Sequence, residues 1–164
     1  MAKEIERKYL LRHDGWRKEA SVSVRMRQGY LNSRGPCSIR VRIEEDQAYL
    51  NIKSATLGIS RLEFEYPLPV RDAEQILDTL CLRPLIEKTR HLVLHADHRW
   101  EIDVFEGENA GLIVAEIELN DPDEAFELPD WVGKEVSHDP HYYNVCLVKN
   151  PYKNWGVEAS WHAT

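Results

Sequence analysis

The chain has 164 residues, 30% of them charged, with a formal net charge of −7. That length suits one domain with a sizeable core, and the acidic balance weighs against a broad nucleic-acid or anionic-membrane surface, which needs an excess of Lys and Arg. No stretch approaches the ~20 apolar residues of a membrane-spanning helix.

The amino terminus enters a charged strand pattern without the marks of a signal peptide. Cys37, Cys81 and Cys146 are odd in number and scattered, without a CxxC pair, which fits reduced packing residues rather than a disulfide frame or zinc site. The cytoplasm is the expected compartment.

Eight strands are predicted, over 3–11, 22–32, 38–45, 48–54, 60–67, 86–94, 99–106 and 112–119. The first carries Glu4-x-Glu6-x-Lys8. Alternate side chains of a strand share a face and sit ~6.7 Å apart, so two carboxylates can flank one hard cation while an ammonium reaches an anion beyond it. The second carries Gln28-Gly29-Tyr30, with Arg25 and Arg27 read as surface residues. Arg40-x-Arg42 follows on the third strand, where Glu44, Glu45 and Asp46 run into a solvated turn. Lys53 lies on the fourth and Arg61-x-Glu63-x-Glu65 on the fifth.

A helix is expected from Asp72 as N-cap, presenting Ala73, Ile76, Leu77 and Leu80 on one face. The remaining strands carry Lys88-x-Arg90, Glu101-x-Asp103 and Glu116-x-Glu118. His91, His95 and His98 straddle a hairpin, and His91 points away from Lys88 and Arg90, so no histidine metal site is expected. Asp121-Pro122 predicts a short helix, and Asp139-Pro140 another running to Lys149, where Asn150-Pro151 stops it. Residues 153–164 hold Trp155 and Trp161 without a period and read as a frayed or loosely docked tail, leaving 1–152 as one domain.

The short polar connections favour antiparallel hairpins. Each strong strand has an apolar face and a charged face, and the signs sort by strand: acids on the first, fifth, seventh and eighth, bases on the third, fourth and sixth. Cross-strand pairs of opposite sign are normally favoured, so such sorting makes sense when a cation sits among the acids and a polyanion among the bases. Eight strands also close into a barrel without exposed edges. The expected fold is therefore mainly β, an eight-stranded antiparallel closed barrel forming a charged tunnel, with a few flanking helices. Its apolar exterior must be covered by those helices or by a second copy of the chain, which leaves a homodimer open.

Clustered Asp and Glu suit Mg²⁺ or Mn²⁺, and clustered Lys and Arg suit phosphate oxygens. No GxxxxGK[ST] loop or GxGxxG turn is present. The ordered series of charged pairs resembles the CYTH proteins, the triphosphate tunnel metalloenzymes, whose signature is ExExK; the likeness spans about residues 3–150.

That resemblance implies metal-dependent hydrolysis of a small-molecule triphosphate, inorganic tripolyphosphate first, with no nucleic acid or membrane partner. It implies that Lys8, Arg40, Arg42, Lys53, Arg61, Lys88 and Arg90 bind phosphate. Glu4, Glu6, Glu116 and Glu118 would form the main metal cluster. Glu63, Glu65, Glu101 and Asp103 would support a second metal or the attacking water, and Tyr30 matches a tunnel aromatic. The alternatives are a class IV-like adenylate cyclase, a thiamine triphosphatase, and a polyphosphate-binding module without turnover.

Overall fold

A computed structural model describes residues 3–156. Nine strands form: β1 (Lys3–Leu11), β2 (Val22–Tyr30), β3 (Cys37–Glu44), β4 (Gln47–Ser54), β5 (Ser60–Leu68), β6 (Ile86–His95), β7 (His98–Phe105), β8 (Ile113–Glu118) and β9 (Val132–Glu135). Eight of them close into an antiparallel barrel in the circular order β1-β5-β4-β3-β2-β6-β7-β8, as expected from the alternation. The ninth strand was not expected. It pairs with the second half of β1, matching Tyr9 with Glu135 and Leu11 with Val132.

β1 thereby serves three neighbours. One edge pairs with β8 from Glu6 to Leu10. The other pairs with β5 over Lys3, Ile5 and the residue between them, and then passes to β9. Gly133 of β9 allows that approach, because a Cβ there would lie 3.1 Å from the Leu10 carbonyl oxygen.

Apolar side chains on the outer face of the barrel are covered from two sides, and a third cluster, Leu10, Ile86, Phe105 and Val114 with Leu147 and Val148, lies on the inward face of its strands. Over β1, β7 and β8 the cover is aromatic, with Trp16, Trp100 and Trp131 at most 1% exposed. Trp16 comes from a 3-10 turn at Asp14–Glu19, between β1 and β2. Over β3 and β4 the cover is α1 (Val70–Thr79), whose Ala73 and Leu77 pack on Val41, Ile43 and Ala48. Asp72 lies within the first turn of α1 rather than capping it; the N-cap is Pro69 and Leu80 is the C-cap.

The helix expected at Asp121-Pro122 does not form. Glu124 accepts from the Asn120 amide, and Asp121 accepts from the Asp123 amide, so side chains satisfy the backbone as a turn. The last helix is split. Asp139 caps a 3-10 turn at Pro140–Tyr142, and α2 spans only Asn144–Lys149. Trp155, expected in a loose tail, is buried against Tyr142 and Tyr152; Trp161 lies outside the described residues.

Candidate active site

The pleat sends the charged face of seven barrel strands inward, while β2 turns Val24, Met26 and Tyr30 there, and together they line a cavity of about 400 Å³, a size suited to a small molecule. β1 contributes Glu4, Glu6 and Lys8, β3 Arg40 and Arg42, and β4 Lys53. β5 contributes Arg61, Glu63 and Glu65, β6 Lys88 and Arg90, β7 Glu101, and β8 Glu116 and Glu118, with Tyr30 from β2.

The circular strand order turns the sorting of signs into two walls. β7, β8, β1 and β5 are contiguous and carry most of the acids, while β4, β3 and β6 carry most of the bases, with the uncharged inner face of β2 between β3 and β6. Ion pairs concentrate where the walls meet. At β4–β5, Lys53 Nζ lies 3.5 Å from Glu63, and Arg42 of β3 reaches over β4 to Glu65, its Nη2 3.2 Å away; Lys53 also reaches across to Glu4, 3.0 Å away. At β6–β7, Arg90 and Lys88 meet the acids of β7.

Asp103 departs from expectation. It has no exposed surface and does not line the cavity. Oδ1 accepts from Arg90 Nε at 2.8 Å, and Oδ2 accepts from Arg90 Nη2 at 2.9 Å and faces Lys88 Nζ at 2.8 Å. These cations hold its carboxyl well below the usual range despite burial. The residue expected beside a metal instead anchors two cations of the basic wall.

Three carboxyls of the acidic wall, Glu4, Glu116 and Glu118, shift the other way. Burial, then the neighbouring Glu6, raises the Glu116 carboxyl. Glu118, exposed at the rim, is raised by desolvation and by Glu101 and Glu63. Burial raises Glu4, with Lys53 opposing. Glu6 and Glu118 are cross-strand partners on one face, a like-charge pairing that costs energy without a counter-ion. Among the described residues neither has a basic group within 4.0 Å. The donors are all carboxylate oxygens, the set a hard divalent cation prefers, and among the described residues no three acids already converge as tightly as a bound ion would draw them.

Arg40 is the counterpart on the basic wall. It is 9% exposed, its Nε is buried without a hydrogen-bond partner, and among the described residues no carboxylate lies within 4.0 Å of it.

Several lining residues escaped the sequence reading. Glu44, taken as solvated, lines the cavity 3.6 Å from Arg42. Asn51 donates to Glu63 and Glu65, and its place in the β4 alternation two residues before Lys53 was the available signal. Val24, Met26 and Leu92 give part of the basic half an apolar surface. Tyr143 and Asn144, at the head of α2, also reach in; the Tyr143 ring lies under Arg61, 4.5 Å from its guanidinium carbon. Arg25 and Arg27 lie outside, paired with Glu87. His91 packs on Trp16 and His98 bonds Glu124, and neither lines the cavity.

The sequence profile of the CYTH domain matches residues 2–143. The chain belongs to the CYTH domain family. A CYTH relative from Acetivibrio thermocellus, named inorganic triphosphatase, is 48% identical over 155 residues, covering 94% of this chain and 99% of its own. Another protein of that name, from Nitrosomonas europaea, is 34% identical over 150 residues, covering 88% and 95%. A solved inorganic triphosphatase structure superposes with a TM-score of 0.65 at 31% identity, covering 90% of this chain and 95% of its own.

Proposed function

We propose that this tunnel hydrolyses inorganic triphosphate to diphosphate and phosphate. One observation carries the reading: among the described residues, a single cavity holds a buried guanidinium, Arg40, with no carboxylate within 4.0 Å, and a carboxylate, Glu6, with no basic nitrogen within 4.0 Å. Unpaired buried charge costs several kcal/mol, and a metal-bound polyphosphate neutralises both signs at once. The names of the two relatives point the same way.

In this reading Lys8, Arg40, Arg42, Lys53, Arg61, Lys88 and Arg90 bind the phosphate oxygens, and Tyr30 packs beside them. Glu4, Glu6, Glu116 and Glu118, with Glu101 at their flank, would hold Mg²⁺ or Mn²⁺. Such an ion supplies charge neutralisation and an acidified water. Glu63 and Glu65 orient Asn51, Lys53 and Arg42 and stand ready to accept the proton of the attacking water. Raised pKa values on the acidic wall express the same need for a cation.

The test is phosphate release from tripolyphosphate, thiamine triphosphate and ATP, with Mg²⁺, with Mn²⁺ and with chelator. Fastest metal-dependent turnover of tripolyphosphate is expected. Inactivity on all three retires the hydrolase reading. The apolar surface of Val24, Met26 and Leu92 favours a second reading, in which an organic group rests there; faster turnover of thiamine triphosphate or ATP, or formation of cyclic AMP, would select it.

We also assign the protein to the cytoplasm, in keeping with three free cysteines among the described residues. The exposed outer stripe of β5, Leu62, Phe64 and Tyr66, is the surface a homodimer would bury. A monomeric mass in solution would dismiss that assembly.

A further inference from the structure

Lys88 is 1% exposed, so the direction of its few N–H bonds matters more than that of a mobile surface lysine. An ammonium has three donors and no acceptor. One partner is Asp103 Oδ2 at 2.8 Å, and another is Asn144 Oδ1 at 2.9 Å. The Phe105 ring lies 5.5 Å from Nζ. With two donors committed in a tetrahedral group, the third keeps a single direction, and Lys88 is part of the cavity lining.

Asn144 is well placed for this task. It is the first residue of α2 and shares the cavity lining with Tyr143. Its carboxamide oxygen also accepts from Nε2 of Gln28, at 2.9 Å, and Gln28 has no exposed surface. Because the ammonium can only donate, the amide must turn its oxygen toward Lys88, and Gln28 must then present its NH₂. The amide is thus held from the barrel wall while it holds the lysine. Burial pulls the Lys88 ammonium down to about 8, with Asp103 opposing, so the group gains from each well-placed acceptor.

We infer that Asn144 is a positioning residue for substrate binding, aiming the Lys88 ammonium at a phosphate oxygen from outside the barrel strands. The inference rests on the triphosphate reading given above.

The test is a double-mutant cycle on the full chain with tripolyphosphate and Mg²⁺. Asn144→Ala should raise KM roughly tenfold, the scale of one hydrogen bond to a charged group, and leave kcat within about twofold. On a Lys88→Met background the same change should move KM by less than about twofold, since the two residues act as one unit. A merely structural asparagine would give additive effects, and additivity overturns the inference, as does an unchanged KM in the folded single variant. Should Asn144→Ala fail to fold, Asn144→Ser carries the same cycle. If wild-type binds tripolyphosphate calorimetrically without releasing phosphate, hydrolysis is wrong and the cycle is read in Kd. Failure to bind at all overturns both.

Discussion

Arg90 grips Asp103 through two hydrogen bonds, of 2.8 and 2.9 Å, on a carboxylate with no contact with solvent. Asp103→Ala would leave Arg90 and Lys88 buried without their main counter-ion, and should cost about 3–5 kcal/mol of stability. Glu118→Gln removes an acid with no basic partner among the described residues and should be neutral or slightly stabilising in metal-free protein. Urea denaturation of the two variants compares them directly. Equal losses would contradict the anchoring role of Asp103.

Arg40 and Arg42 are two residues apart on one strand but differ in their neutralisation. Arg42 has Glu44 and Glu65 within 3.6 Å. Arg40→Ala should therefore raise KM for tripolyphosphate by roughly 10–100-fold, and Arg42→Ala by less. Steady-state kinetics with saturating Mg²⁺ measures both, and the reverse order would show that pre-existing ion pairs do not set their relative worth.

Glu6→Gln keeps the size of the side chain and removes its charge. The loss should lower kcat on the order of 100-fold and raise the Mg²⁺ concentration needed for half-maximal activity. Metal titration at fixed tripolyphosphate distinguishes this from a binding defect. A variant with the wild-type metal requirement would remove Glu6 from the metal site.

Lys88 gives the tunnel an alkaline limit. Its folded value of about 8 lies below the ordinary 10.5 because burial disfavours the charged form. As pH rises through that value the cation is lost, so KM should climb above about pH 8 while kcat changes less. Lys88→Arg should shift the climb upward or abolish it. A KM that stays flat to pH 10 would argue that Asp103 keeps Lys88 charged throughout.

Another ion pair outside the tunnel joins His98 to Glu124. His98 Nε2 and Glu124 Oε2 are 2.6 Å apart. The hydrogen bond to Glu124 raises the imidazole above 6.5, and the same bond lowers the carboxyl below 4.5. A raised base stabilises the fold below its unfolded value and stops doing so as pH rises through the folded one. A lowered acid stabilises above its unfolded value and loses that contribution as pH falls through the folded one. The pair is therefore worth most between 4.5 and 6.5. Glu124→Gln should lower Tm more near about pH 5.5 than near about pH 8.5. A constant difference across that range would rule out the linkage.

The barrel was legible in the sequence because its period of two runs through strands long enough to count, as in Ser38–Glu44 and Arg61–Tyr66. Most of the charged lining followed from the same alternation; Asp103 has the right register, but its neighbours on β6 bury it. β9 has four residues, too few for a period to appear. The turn at residues 120–124 was misread because Asp-Pro with a following Glu is also a helix opening, and the competing partner, His98, is 26 residues away. Asn144 was lost among Tyr142, Tyr143 and Val145, since a polar residue at the head of a helix gives no sign of a lysine on a distant strand.

The sharing of β1 among three neighbours has a kinetic consequence. The strand synthesised first is joined to β5 through only three matched residues, and its long partnership is with β8, about a hundred positions later in the chain. Closing such a ring brings together segments remote in sequence, which slows folding relative to locally connected topologies. Until β8 emerges, β1 lacks its longest partner. Refolding should thus be limited by the arrival of β1 at β8.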